Sequence, residues 1–121
     1  MTDPDQVDKK FKKEITAGIA SLALLKVLEQ SPKPMYGYEI AKLVSPEDDS
    51  EPLIKQGGLY PVLRSLEKNG LLSSSVEPSV SGPPRRYYTT TQEGNTALER
   101  WVSIWQEARD FVDQILEGEL I

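Results

Sequence analysis

Two short runs hold the side chains best suited to grip an anion: Leu59-Tyr60-Pro61-Val62-Leu63-Arg64-Ser65-Leu66-Glu67-Lys68, and Pro83-Pro84-Arg85-Arg86-Tyr87-Tyr88. In the first run Leu59, Val62, Leu63 and Leu66 recur at helical spacing and should face a core. That leaves Tyr60, Arg64, Ser65 and Lys68 on the opposite face. Arg64 is the best candidate for a base edge, because a guanidinium pairs bidentately with guanine. Tyr60 suits a phosphate or a thymine methyl, and equally well suits packing against a neighbouring helix. In the second run two prolines stiffen the approach to adjacent arginines. Neighbours on a strand point to opposite sides, so one arginine should face phosphate and the other solvent or the domain. A helix that enters a groove and a hairpin that touches phosphates do complementary work, one specifying and the other positioning.

These runs need a scaffold, and the rest of the chain supplies one. A first helix is expected from about Gln6 to Gln30, with Lys9, Lys10, Lys12 and Lys13 solvated. Its later part spreads Ile19, Leu22, Leu24, Leu25, Val27 and Leu28 almost all round, so it wants cover on more than one side. Pro32 and Pro34 end it, because proline cannot continue a helix. A second helix, about Tyr36 to Val44, should turn Ile40, Leu43 and Val44 inward and Glu39 and Lys42 outward. The third is expected from about Gly58 to Asn69. Pro61 falls near its first turn, where a missing N–H costs little, and Asn69-Gly70 stops it. Leu71 to Val76 and Arg85 to Thr91 read as two strands joined around Ser81-Gly82. Thr91 then caps a last helix.

Along that last helix Leu98, Trp101, Trp105, Ala108, Val112 and Ile115 step by 3, 4, 3, 4 and 3 residues. That is the spacing of a coiled-coil seam, and a lone small domain could bury only part of it. These six residues, with Ile19 and Leu22 of the first helix, form the expected dimer interface. The fold class is therefore mainly α with a small β-hairpin wing. A winged helix-turn-helix over residues 1–91 is followed by a C-terminal dimerisation helix over residues 92–121.

The net charge of −5 at first opposes an anionic partner. Its distribution answers part of the objection. Residues 1–52 carry seven Lys/Arg and ten Asp/Glu, a net of −3, and residues 92–121 carry two and seven, a net of −5. Residues 53–91 carry five and two, a net of +3. The positive third contains the helix and hairpin, so any contact with nucleic acid should be local and salt-sensitive. The acidic loop Ser45–Pro52 should point away from phosphates.

Other classes fare worse. Zero cysteines and zero histidines remove disulfides, thiolate metal sites and the commonest acid/base catalyst. Asp48 and Asp49 resemble a metal or acid/base pair only superficially, and read as a solvated loop. No nucleophile–base pair is visible, so neither an enzyme nor a cofactor is expected. No run approaches the roughly 18 apolar residues of a membrane helix. The chain reads as a soluble, cytoplasmic protein.

Gly37-Tyr38-Glu39-Ile40-Ala41, then Leu59-Tyr60-Pro61 through Gly70-Leu71-Leu72, then Pro83-Pro84-Arg85-Arg86-Tyr87-Tyr88 and Thr91-Gln92-Glu93-Gly94 follow in an order that resembles the PadR family of transcriptional regulators. The resemblance covers roughly Ile15 to Glu117. It implies a homodimer on a near-palindromic double-stranded DNA operator, usually repressing. It also implies a groove-entering role for Gly58 to Lys68 and wing contacts for Arg85 and Arg86, and Tyr38 and Lys42 of the second helix join the expected DNA-binding set. Short members hold small planar aromatic ligands between subunits, against the first and last helices. Trp101 and Trp105 occupy the matching helix, where they are candidates both for dimer core and for a ligand platform. The chain departs from the family in having Lys55, Gln56 and Gly58 where Ser or Thr is usual. The alternative reading is a winged-helix protein–protein interaction module that has lost DNA binding.

Overall fold

A computed structural model describes residues 3–48 and 50–118 of the chain. Helix α1 (Pro4–Gln30) starts two residues earlier than expected, because Asp3 caps it. The Asp3 carboxylate accepts from the Asp5 N–H at 3.0 Å, and Pro4 fills a position where no N–H is needed. Strand β1 (Met35–Tyr36) follows, then α2 (Gly37–Val44), α3 (Gln56–Lys68), β2 (Leu72–Glu77), β3 (Arg85–Thr90) and α4 (Gln92–Leu116). The three strands are antiparallel in the order β1-β3-β2, with Met35 opposite Tyr88, Ser74 opposite Tyr88 and Val76 opposite Arg86. The hairpin of the sequence reading thus gains a third, two-residue strand.

One core joins all of these elements. Leu24, Leu25 and Leu28 of α1 meet Ile40 of α2, Leu59, Leu63 and Leu66 of α3, Leu72 and Tyr88 of the sheet, and Leu98 of α4. Leu24, Leu25, Ile40, Leu59 and Leu63 are fully enclosed, each contributing roughly 1.5–3 kcal/mol through removal of apolar surface from water. Two sequence expectations need correction. Leu43 is 63% exposed, whereas Ala41 is buried. Helix α2 packs through Gly37, Ile40, Ala41 and Val44 at i, i+3, i+4 and i+7, and Leu43 falls beside that stripe. Leu98, expected in a seam between chains, is only 4% exposed and lies in the chain's own core, so it has almost no surface left for a partner.

Helix α3 ends as its sequence indicates. Gly70 adopts φ +80°, the left-handed conformation that glycine takes without penalty. The Gly70 N–H donates to the Glu67 carbonyl and the Leu71 N–H to the Leu66 carbonyl, each at 2.9 Å. Thr91 ties this end to the start of α4. Its N–H donates to the Leu71 carbonyl at 3.1 Å, and its hydroxyl donates to the Gly70 carbonyl at 2.6 Å. The same hydroxyl caps α4 by accepting from the Gly94 N–H at 3.0 Å. Gly94 lies so close to the Leu71 carbonyl that no β-carbon would fit between them.

Candidate nucleic-acid interface

The arginines of the two runs converge on one cleft. Tyr60 and Arg64 of α3 and Pro84, Arg85, Arg86 and Tyr88 of the wing line a depression of about 420 Å³, closed at one end by Tyr36 and Gly37. The strand alternation expected for the two arginines holds. Arg85 leaves the face shared with Tyr36 and Tyr87, and its guanidinium carbon lies 4.5 Å from the centre of the Tyr36 ring. Arg86 leaves the opposite face, where its Nη1 donates to the Ser74 hydroxyl at 2.8 Å. That hydroxyl in turn donates to Glu67 Oε2 at 2.6 Å, so the wing is bonded to α3. Both arginines nevertheless border the same cleft. Among the described residues, no ion pair neutralises Arg64, Arg85 or Arg86.

Tyr88 forms part of the cleft floor. Burial pushes its phenol above the ordinary value and the Glu67 charge pushes the same way, while Arg86 and Arg64 oppose both. Tyr60 packs against α2 as one of its two expected roles requires: its ring lies over Gly37, where a β-carbon would come within 2.5 Å of the hydroxyl, and the residue remains 40% exposed. Gly58, Ser65 and Lys68 are exposed on α3 outside the cleft. Tyr38 and Lys42 are exposed on α2, with the Lys42 ammonium 5.2 Å from the Tyr38 ring centre. Tyr38 stacks on Tyr36 at 6.4 Å, and Tyr36 meets Tyr87 edge-on at 5.3 Å. An aromatic row thus runs from Tyr38 through Tyr36 to Tyr87, with Lys42 over its first ring and Arg85 over its middle one, each such cation contact contributing about 0.5–1 kcal/mol at an exposed site.

None of the described residues of the acidic loop lines the cleft. Glu51 pairs with Lys55 at 2.9 Å, and its carboxyl is held below the usual range first by that bond and charge, then by Lys12 and Lys9 of α1. Asp48 is also held low, mainly by hydrogen bonds from the Ser50 hydroxyl and N–H. Asp49 lies outside the described residues.

A second depression separates α1 from α4. The two helices run antiparallel, since Glu29 borders Asn95 at one end while Ile15 borders Ala108 at the other. Between them lies an apolar groove of about 490 Å³ lined by Ile15, Gly18, Ile19, Leu22, Trp101, Ile104, Trp105 and Ala108. Trp101 is half-buried and Trp105 is 41% exposed. Beyond the groove everything is open: α1 is exposed up to Ile15 and α4 from Ser103 onward. Val112 and Ile115 lie on this open half of α4, with Phe111 and Leu116.

Residues 24–100 match the family described as the transcriptional regulator PadR-like family. The chain belongs to that family. A PadR family transcriptional regulator from Eggerthella lenta is 34% identical, with a TM-score of 0.74 over 93% of this chain and 95% of its own. A PadR-like transcriptional regulator from Bacillus cereus is 26% identical, with a TM-score of 0.67 over 87% of this chain and 98% of its own. An uncharacterized protein of Lysinibacillus sphaericus is 32% identical over 104 residues, 86% of this chain and 93% of that protein. PadR-like proteins are transcriptional regulators, not enzymes, and the match gives this chain the same general role. Among the described residues no helix is long and apolar enough to cross a membrane.

Membership sharpens the departure at the start of α3. Lys55 is the cap residue of this PadR-like chain, and its side chain makes no capping hydrogen bond. A β-carbon at Gly57 or Gly58 would meet nothing within 4 Å, so the protein's own packing does not require either glycine. Several contributors escaped the sequence reading. Ser74 and Glu67 become visible only once register sets Ser74 diagonal to Arg86, and Tyr36 only once β1 pairs with β3.

Proposed function

We propose that this chain is a homodimeric transcriptional repressor that binds a near-palindromic operator and is relieved by a small planar aromatic ligand between subunits. The observation that carries the DNA reading is the cleft in which Arg64, Arg85 and Arg86 meet without an acidic partner among the described residues. In this reading α3 enters the major groove with Arg64 at a base edge. Tyr60, Ser65, Lys68 and the backbone at Gly58 lie along the groove, and Tyr38 and Lys42 of α2 reach the flanking backbone. Arg85 and Arg86 take phosphates, which position the helix without reading sequence.

Support for the dimer comes from apolar surface. Phe11, Ile15, Ile104, Trp105, Phe111, Val112, Ile115 and Leu116 are all exposed on the free halves of α1 and α4, and contiguous exposure on this scale marks an interaction surface. Ile19, Leu22, Trp101, Trp105, Ala108, Val112 and Ile115 are the assigned contacts. In this reading residues 92–121 serve dimerisation and residues 1–91 DNA binding, although the first turns of α4 share the core; residues 119–121 lie outside the described set. Support for a ligand is the groove flanked by two indoles, which offers flat, apolar walls.

The deciding experiment is a gel shift and footprint with the duplex upstream of the protein's own gene, titrated with salt. A protected, near-palindromic site with steep salt dependence is expected. A folded dimer that leaves this duplex unshifted at low salt would favour the interaction-module reading.

A further inference from the structure

Glu67 is out of place on charge alone. It is one of two acidic residues in the only net-positive third of the chain, and it stands beside a cleft that would receive phosphate. Coulomb's law says that a carboxylate there should repel DNA. Its contacts suggest what it does instead. Glu67 Oε2 accepts the Ser74 hydroxyl proton at 2.6 Å, and the Ser74 oxygen, its lone pairs thereby polarised, accepts from Arg86 Nη1 at 2.8 Å. The carboxylate does not reach the guanidinium, for Arg86 forms no ion pair among the described residues. One of the five guanidinium donors is used, leaving the charge and the other donors outward.

We infer that Glu67 and Ser74 are positioning residues that fix the Arg86 guanidinium for a DNA phosphate, so that an acidic residue of the reading helix strengthens DNA binding. This rests on the DNA-binding reading above. A long arginine side chain loses rotamer freedom when it meets a phosphate, and the relay removes that freedom beforehand. It also keeps wing and helix in one register, because Ser74 is on β2, Arg86 on β3 and Glu67 on α3.

The test uses the full chain and the upstream duplex, with affinity measured across a salt series. Glu67→Ala removes a negative charge and breaks the relay, whereas Ser74→Ala breaks it with no change of charge. Both should bind about tenfold more weakly, and the slope of log K against log salt should shrink toward that of Arg86→Ala, a change of about 0.9 for one lost phosphate contact. Glu67→Gln keeps an acceptor for the Ser74 hydroxyl and Ser74→Thr keeps the hydroxyl, so both should restore most of the affinity and slope. A purely electrostatic role for Glu67 gives the opposite sign, with Glu67→Ala and Glu67→Gln both binding more tightly. Unfolding midpoints within a few degrees of wild type separate positioning from misfolding, and the charge-neutral Ser74 pair stands if Glu67→Ala fails to fold. If Arg86→Ala lowers the slope but Ser74→Ala and Glu67→Ala do not, the positioning role is overturned and the DNA reading survives. If Arg86→Ala itself changes nothing, or the wild-type chain does not bind, the wing contact falls and the positioning role falls with it.

Discussion

The ring of Tyr60 occupies the space that a β-carbon on Gly37 would need. An ideal β-carbon would lie 2.5 Å from the Tyr60 hydroxyl and 2.7 Å from the nearest ring carbon. Helices α2 and α3 thus touch through an absent side chain. The contact sets how Tyr60 presents itself at the cleft.

Gly37→Ala should therefore push the Tyr60 ring outward. Overpacking usually costs about 1–3 kcal/mol, and a partly exposed ring can swing away, so about 1 kcal/mol is expected. In a Tyr60→Ala background the same change should be neutral or stabilising, because Ala is the better helix former. A double-mutant cycle by urea unfolding checks this, and additive effects would mean that the two residues do not share the space.

Gly94→Ala should be worse, because its obstacle is backbone. The Leu71 carbonyl in its way also accepts from the Thr91 N–H at 3.1 Å, so it cannot retreat without losing that bond. A loss of about 3 kcal/mol, the upper end for overpacking, is expected in denaturant unfolding.

For DNA, Arg64→Ala should weaken operator binding by about 1–3 kcal/mol, the range for one bidentate base contact. The Arg85→Ala/Arg86→Ala double change should lower the salt slope by about 1.8, for two phosphates. Sedimentation should show the oligomeric state unchanged in both. Unaltered affinity in both variants would remove the DNA reading.

The indole groove makes an optical prediction. Planar aromatic compounds should quench tryptophan fluorescence in the wild-type chain, and the response should vanish in Trp105→Ala. Absence of quenching by any such compound would leave the indoles as apolar packing alone.

Tyr88 predicts the alkaline limit. Its phenol is raised above 10.0 in the folded chain, chiefly by burial. As pH rises past 10 the unfolded chain loses that proton first, so it binds fewer protons and stability falls with pH. Below that range the contribution is fully present. Tyr88→Phe should have a shallower decline above pH 10 in thermal unfolding, and an identical slope would place the alkaline loss elsewhere.

Much of the architecture could be read from residue spacing because the signals were local. The stripe from Leu59 to Leu66, the stop at Asn69-Gly70 and the cap at Thr91 each depend on neighbours within a turn or two. What escaped depended on partners far along the chain. Two residues, Met35 and Tyr36, are too few to show a strand's period, and they become one only by pairing with Tyr88 and Tyr87. Leu98 fits a seam by spacing, but the start of α4 is drawn against α1 and the sheet, which buries it. Leu43 falls outside the packed face, which spacing alone does not single out because an eight-residue helix offers several plausible inward faces. At the cleft, Arg64, Arg85 and Arg86 stood out by type, whereas Ser74 and Glu67 needed the strand register.

The knot of contacts at Gly70, Leu71, Thr91 and Gly94 has a mechanical consequence. It ties the end of α3 to the start of α4 through the Thr91 N–H and hydroxyl and the close approach of Gly94 to the Leu71 carbonyl. Helix α4 then extends 25 residues, about 37 Å, and acts as a lever whose fulcrum is that knot. A tilt of about 5° there sweeps the far end through roughly 3 Å over that length. Whatever grips the free half of α4 is geared directly to the orientation of α3.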